Sequence, residues 1–183
     1  MNSLSISFIL NVPLLRRLFM CKVVPPGIYE YVLARTKLLD QVFADALENR
    51  FAQIVLLGAG FDTRALRFRD RNKGTKIFEL DVHTTQQPKV AILERKKVPF
   101  PDELVFVTID FNKQSLAEAL SQAGYEGKAK SLFIWEGVTM YLTSAAIDST
   151  LDFVRRSAAE GSIVAFDYIY ASVLRRENRF YGD

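Results

Sequence analysis

Residues 53–67 read QIVLLGAGFDTRALR, and the passage from an apolar run into glycine decides how the rest of the chain is read. Residues 54–57 are what a strand buried on both faces of a parallel sheet requires, and they stop at Gly58-Ala59-Gly60. Glycine at 58 and 60 allows positive φ and brings bare backbone N–H groups close to the carboxyl end of the strand. Open α/β sheets bind their ligands at that end.

Working outward, Pro25-Pro26-Gly27 breaks the chain before a helix over residues 29–49, with Leu39, Val42, Phe43, Ala46 and Leu47 on one face. After the glycines a short helix is expected over 63–68, with Asp62 as its N-cap. A second strand covers 75–80 and ends at Asp81. Pro88 suits the first turn of a helix running to about residue 97, which Val98-Pro99-Phe100-Pro101 ends. A third strand, 104–109, ends at Asp110. Asn112 is then expected to cap a helix that turns Leu116, Ala119 and Leu120 inward and stops at Gly124. A fourth strand, 132–135, ends at Glu136. Thr143 starts a helix carrying Ile147, Leu151 and Val154 inward, and Gly161 precedes a fifth strand over 162–168. Alternating strands and helices imply right-handed crossovers and a doubly wound, mostly parallel α/β sheet. The 183 residues are read as a single domain: a helical N-terminal cap over 1–50, a core over 51–168, and the start of a lid or tail over 169–183.

Composition narrows the function classes. An apolar share of 49% fits a packed core rather than a disordered chain. The net charge of +3 comes from 24 basic and 21 acidic residues, which does not point to a nucleic-acid partner. Arg64, Arg67, Arg69, Arg71, Lys73 and Lys76 cluster around Asp70, and are expected to form a solvated surface. Cys21 is single, so no disulfide framework exists and a cytoplasmic location is expected. Residues 4–10 are mostly apolar, but they lack a basic segment before them and are broken by Asn11 and Pro13. They read as neither an export signal nor a membrane span; a helix that packs Leu14, Leu15, Leu18 and Phe19 on the domain is the alternative.

Three successive strands thus end in a carboxylate, after a first that ends in glycine. In a parallel sheet all four ends share one edge. Asp81 follows Gly58 by 23 positions (81 − 58), near the spacing at which an acid takes the two hydroxyls of a ribose. Asp110 can accept from an exocyclic amine while the N–H of Phe111 faces a ring nitrogen, which suits adenine. Glu136 would repel a pyrophosphate and suits an ammonium group. Ribose, adenine and a cationic amino-acid end together describe S-adenosylmethionine. Thr63 occupies the place of the third glycine in a dinucleotide motif, which makes an NAD-dependent enzyme the weaker alternative.

In order, RTKLLD, QIVLLGAGFDTR, FELD, ID followed by FN, and WEGVTMYL resemble the leucine carboxyl methyltransferase family and its bacterial relatives, over about residues 31–168. The resemblance implies a Rossmann-like, class I methyltransferase fold. It also implies that Arg35 pairs with the methionine carboxylate, and that the loop Gly58, Ala59, Gly60 lies against the methionine end. Asp81 would hold the ribose, Asp110 and Phe111 the adenine, and Glu136 the amino group. Members of the family continue beyond the fifth strand, so this chain is expected to be truncated there, with much of the acceptor side missing. Arg16, Arg17 and Lys22 are candidates for a further basic residue of the eukaryotic members.

Transfer of a methyl group from a sulfonium is an in-line displacement that asks the protein mainly for alignment and exclusion of water, and requires no metal. A carboxylate acceptor is already ionised and needs no general base. The only histidine, His83, follows the ribose-binding strand end, too far from the methyl group to serve. The expected acceptor is therefore a carboxylate or other small acidic group, on a small molecule or a peptide, with no catalytic residue assigned. A cofactor-binding or regulatory module without catalysis is the alternative. Neither nucleic acid nor membrane is expected as a partner. Self-association through an unpaired sheet edge is, unless residues 168–181, rich in apolar groups, cover that edge or begin a lid.

Overall fold

The structure, a computed structural model, describes residues 27–170 together with Ser172 and Arg175. Expectations for the N-terminal apolar run, Cys21, Arg16, Arg17, Lys22, Pro25 and Pro26, and most of the tail lie outside the described residues. The chain divides into two units, residues 1–38 with 178–183, and residues 39–177. Helix α1 (Ile28–Glu48) crosses that division, and the sheet lies wholly in the second unit.

The sheet contains β1 (Gln53–Leu57), β2 (Lys76–Asp81), β3 (Leu104–Thr108), β4 (Ser131–Trp135) and β5 (Ile163–Phe166), in the spatial order β3-β2-β1-β4-β5. Every pairing is parallel. From β1 the chain steps outward twice to β3, then crosses to the other side of β1 for β4 and β5. The switch point is the gap between β1 and β4, where open parallel sheets leave a crevice above the strand ends. β1 and β4 are buried along their whole length, because helices cover both faces.

Each face carries its own core. On one, Leu39, Phe43, Ala46 and Leu47 of α1 meet Ile54, Leu56, Ile77, Leu132 and Ile134. On the other, Leu116 and Leu120 of α4 (Leu116–Gln122) and Val154 of α5 (Ser144–Ser157) meet Val55, Leu57, Phe78, Leu80, Phe133 and Trp135. The period of two along each strand sends alternate side chains to opposite faces, so consecutive apolar residues serve both cores.

Several local expectations are corrected. Helix α3 (His83–Arg95) begins before Pro88, which sits inside it. Gln86 and Lys89, on either side of the proline, anchor that turn to the sheet: the Gln86 side-chain amide donates to the carbonyls of Glu79 (3.2 Å) and Val107 (3.3 Å), and the Lys89 ammonium meets the Glu79 carboxylate. Ser115, not Asn112, caps α4, accepting from the Glu118 N–H in the spacing of a capping box. The Asn112 side chain instead accepts from the Thr143 N–H at 3.3 Å. Thr143 does cap α5, but the buried face is Ala146, Thr150 and Val154, and Leu151 is exposed. The Thr150 hydroxyl satisfies itself on the Ala146 carbonyl, which lets a polar residue take the inward position. β5 is shorter than the expected 162–168, and β3 stops one residue before Ile109. Among the described residues no helix is long and apolar enough to cross a membrane.

Candidate functional site

The apolar run of β1 ends in a turn that only glycine can make at its first position. Gly58 has φ +68°, and a Cβ there would run into both Cγ atoms of Val138, from the loop after β4. The Val138 side chain therefore packs directly on the bare backbone of Gly58. Gly60 has φ +50°, and its N–H donates to Asp81 Oδ2 at 2.6 Å, while the Val82 N–H donates to Oδ1 at 2.7 Å. The Ala59 N–H donates to the Leu80 carbonyl at 2.8 Å. Asp81 closes β2 and fixes the glycine turn in one step, while each of its oxygens retains a second lone pair for another donor.

Asp110 lies two residues past β3, one strand outward. Its carboxylate takes the Asn112 N–H at 3.1 Å and the Lys113 ammonium at 2.9 Å. The Lys113 hydrogen bond, then that of the Asn112 N–H, holds this carboxyl below its ordinary range. Phe111 is half-buried against the second core. Glu136 follows β4. The edge thus carries, in spatial order, Asp110, Asp81, the glycine turn and Glu136. Arg35 belongs to the N-terminal unit, where its guanidinium lies 5.4 Å from the centre of the Tyr31 ring. His83 is exposed at the first residue of α3.

The basic cluster is the largest revision to the site. Arg64, expected on a solvated surface, is 3% exposed and is the centre of an ion network. Its Nε meets Asp40 Oδ1 at 2.8 Å, Nη1 meets Asp62 Oδ2 at 2.6 Å, and Nη2 meets Glu136 Oε2 at 2.8 Å. The helix-capping role expected of Asp62 also changes. The short helix α2 (Arg64–Arg67) has Thr63 at its N-cap with no side-chain cap bond, while Asp62 Oδ1 accepts from the Arg64 N–H at 2.7 Å. Asp40 accepts from Arg67 as well, through both Nη atoms at 2.7 Å. Burial works to lower the pKa of Arg64, but the charges of Asp62, Glu136 and Asp40 outweigh it and raise it. Burial likewise works to raise Asp40, and the Arg67 hydrogen bond and both guanidinium charges hold it below the usual carboxylate range.

Asp167, just beyond β5, is a fourth strand-end carboxylate. It accepts the Gly137 N–H at 2.6 Å, and its carbonyl accepts from the Thr139 hydroxyl at 2.8 Å, which fixes the loop that follows Glu136. A fifth strand expected to run to 168 hid it as a strand residue. Asp40 and Arg64 carried a fainter signal, an acid and a base inside the two motifs that flank β1.

A model of the leucine carboxyl methyltransferase family matches residues 21–155. A protein of Frankia alni, provisionally named an S-adenosyl-L-methionine-dependent methyltransferase, is 32% identical over 152 residues, 83% of this chain and 51% of its own. One of Streptomyces coelicolor with the same kind of name is 31% identical over 131 residues, 72% of this chain and 46% of its own. The chain spans about half the length of the curated relatives it matches. Among solved structures, a provisionally named methyltransferase of Thermobifida fusca aligns with a TM-score of 0.59 at 17% identity, covering 86% of this chain and 61% of that one. PKMT2 of Rickettsia typhi, solved in complex with AdoHcy, aligns with a TM-score of 0.52 at 14% identity, covering 70% of this chain and 23% of that one. These two likenesses show the fold, a Rossmann-like α/β sheet. With the ordered motifs around β1 and β4 in place and a family match across most of its length, the chain belongs to the leucine carboxyl methyltransferase family.

Proposed function

We propose that this chain forms the S-adenosylmethionine-binding core of a methyltransferase acting on a carboxylate or other small acidic acceptor. One observation carries the reading: a glycine turn flanked on both sides by strand-end carboxylates along the edge of a parallel sheet, at its switch point. From β3 to β4 that edge spans three strand spacings, roughly 14 Å, on the scale of an extended nucleoside joined to an amino acid. The names of the curated relatives and the family match support the same ligand.

The residues fit such a ligand by the chemistry of their donors and acceptors. Asp81, already fixed by the Gly60 and Val82 N–H groups, offers its remaining lone pairs to ribose hydroxyls. Asp110 and the Phe111 N–H would take the adenine, and Glu136 the ammonium. The backbone of Gly58, Ala59 and Gly60 would line the methionine end, where an added Cβ at Gly58 has no room. When bound, the cofactor supplies an electrophilic methyl group on a sulfonium. The chain's part is to hold the ligand in line and exclude water. An acidic acceptor is favoured because His83, the one histidine, is exposed at the start of α3, and an ionised acceptor needs no base.

Calorimetry with S-adenosylmethionine should show saturable binding to the parent chain. Asp81→Ala should weaken it by about 3 kcal/mol, on the order of a hundredfold, while the chain stays folded. No binding by the parent would overturn the cofactor reading. Methyl transfer to amines or hydroxyls but not to carboxylates would overturn the acceptor. A second copy of the chain is the further partner we propose, across the outer edge of β5, where Ile163 and Phe166 are exposed. Light scattering should then show a mass that rises with concentration; a constant monomer mass would remove this partner.

A further inference from the structure

The proposed function leaves Arg64 without a task, although it is the most buried charge along the sheet edge and binds three carboxylates. We infer that Arg64 is a positioning residue for the amino-acid end of the cofactor: it fixes Glu136 by gripping Oε2, and ties it to the glycine loop and helix α1. The inference rests on the proposed cofactor, but its physical basis does not.

The three nitrogens of the guanidinium are divided among three elements. Nε holds Asp40 of α1, Nη1 holds Asp62 of the loop that follows the glycines, and Nη2 holds Glu136 beyond β4. A planar, rigid fork can do this, whereas the flexible point charge of lysine cannot meet three acceptors in fixed directions. Arg67 reinforces the arrangement by gripping both oxygens of Asp40 from the exposed side. Two loops and a helix are thus referenced to one side chain.

The charge balance gives the arrangement a purpose. Asp40, Asp62, Asp81 and Glu136 place four carboxylates around the crevice, and Arg64 contacts three of them. Arg64 offsets their mutual repulsion at Glu136, so an incoming ammonium would meet a carboxylate already held in place. With Arg64, one Glu136 oxygen is fixed by the protein, which sets the direction of the other. The three motifs RTKLLD, GAGFDTR and WEGV then form one construction: their charged residues Asp40, Asp62 with Arg64, and Glu136 are mutual partners.

The experiment compares two ligands, S-adenosylhomocysteine, which carries the ammonium, and methylthioadenosine, which lacks the amino-acid end. Arg64→Lys should weaken S-adenosylhomocysteine by about tenfold or more and leave methylthioadenosine within about twofold. Added to Glu136→Gln, the same substitution should cost much less, because its object is already gone. Equal weakening of both ligands, or additive effects in the double variant, would make Arg64 a merely structural residue and overturn the inference. A second measurement needs neither ligand nor a folded Arg64 variant. In the parent, the Arg64 side-chain N–H signals in nuclear magnetic resonance should be resolved and slow to exchange beside those of exposed Arg155, and Glu136→Leu should speed the exchange of the Nη2 pair. Parent signals that average like those of Arg155 would overturn the inference. No binding of either ligand by the parent would instead remove the cofactor, and the guanidinium signals would still decide the clamp.

Discussion

Two groups of buried charge lie within one unit of this molecule; burial works against the charged form in both, yet the outcomes are opposite. At the carboxyl edge of the sheet, Arg64 has three carboxylate partners, and both it and Asp40 are driven further into their charged forms. Under the sheet, Glu79 of β2 meets Lys89 of α3, with side chains 2% and 4% exposed. There burial dominates, and the Glu79 carboxyl is pushed up to about 7 against the pull of the ammonium. One oxygen of Glu79 has no hydrogen-bond partner. The number of partners, more than the depth of burial, decides whether an interior charge is stabilised. A guanidinium with three acceptors replaces most of the water it loses, and one ammonium on one carboxylate does not.

That contrast predicts the largest effect at Arg64. Arg64→Met should destabilise the chain by roughly 3–5 kcal/mol in urea unfolding, because it removes a buried cation shared by three carboxylates, of which Asp40 keeps Arg67. A loss below about 1 kcal/mol would place the network among ordinary surface pairs and erase the contrast.

The pair under the sheet should behave differently. Lys89→Met alone should cost about 2–3 kcal/mol at neutral pH, since it strands a buried carboxylate. Glu79→Leu combined with Lys89→Met should return the chain to within about 1 kcal/mol of the parent, or above it. If the double substitution is as damaging as the single one, the pair contributes to the fold in its own right.

The smallest effect is a slope with pH. Glu79 holds its proton up to about 7 in the folded chain against an ordinary value of 4.5, so between these values the folded state binds more protons than the unfolded one. Its contribution to stability is complete below the lower value and is lost as pH rises through the upper one, by at most about 1.4 kcal/mol per pH unit. Unfolding midpoints between about pH 5 and about pH 7 should therefore fall more steeply in the parent than in Glu79→Gln. Parallel slopes would assign the pH dependence to other groups.

The sequence alone determined the strands, their order along the chain, the glycine turn and the acids at the strand ends. These are local properties: an apolar run, a residue free to adopt positive φ, and the residue that follows the run. Gly58 stands out in the sequence itself, because a turn directly after a buried strand leaves few other choices. Only the tertiary structure decided which charges meet. Arg64 lies 24 positions from Asp40 and 72 (136 − 64) from Glu136, and nothing in a run of arginines tells the buried one from its solvated neighbours. Glu79 is separated from Lys89 by a strand end and a helix start, and it was hidden in a strand read only for its apolar content. Charges attract over distance in every direction, so their pairing is fixed only once the sheet and its helices have brought particular side chains out of water together.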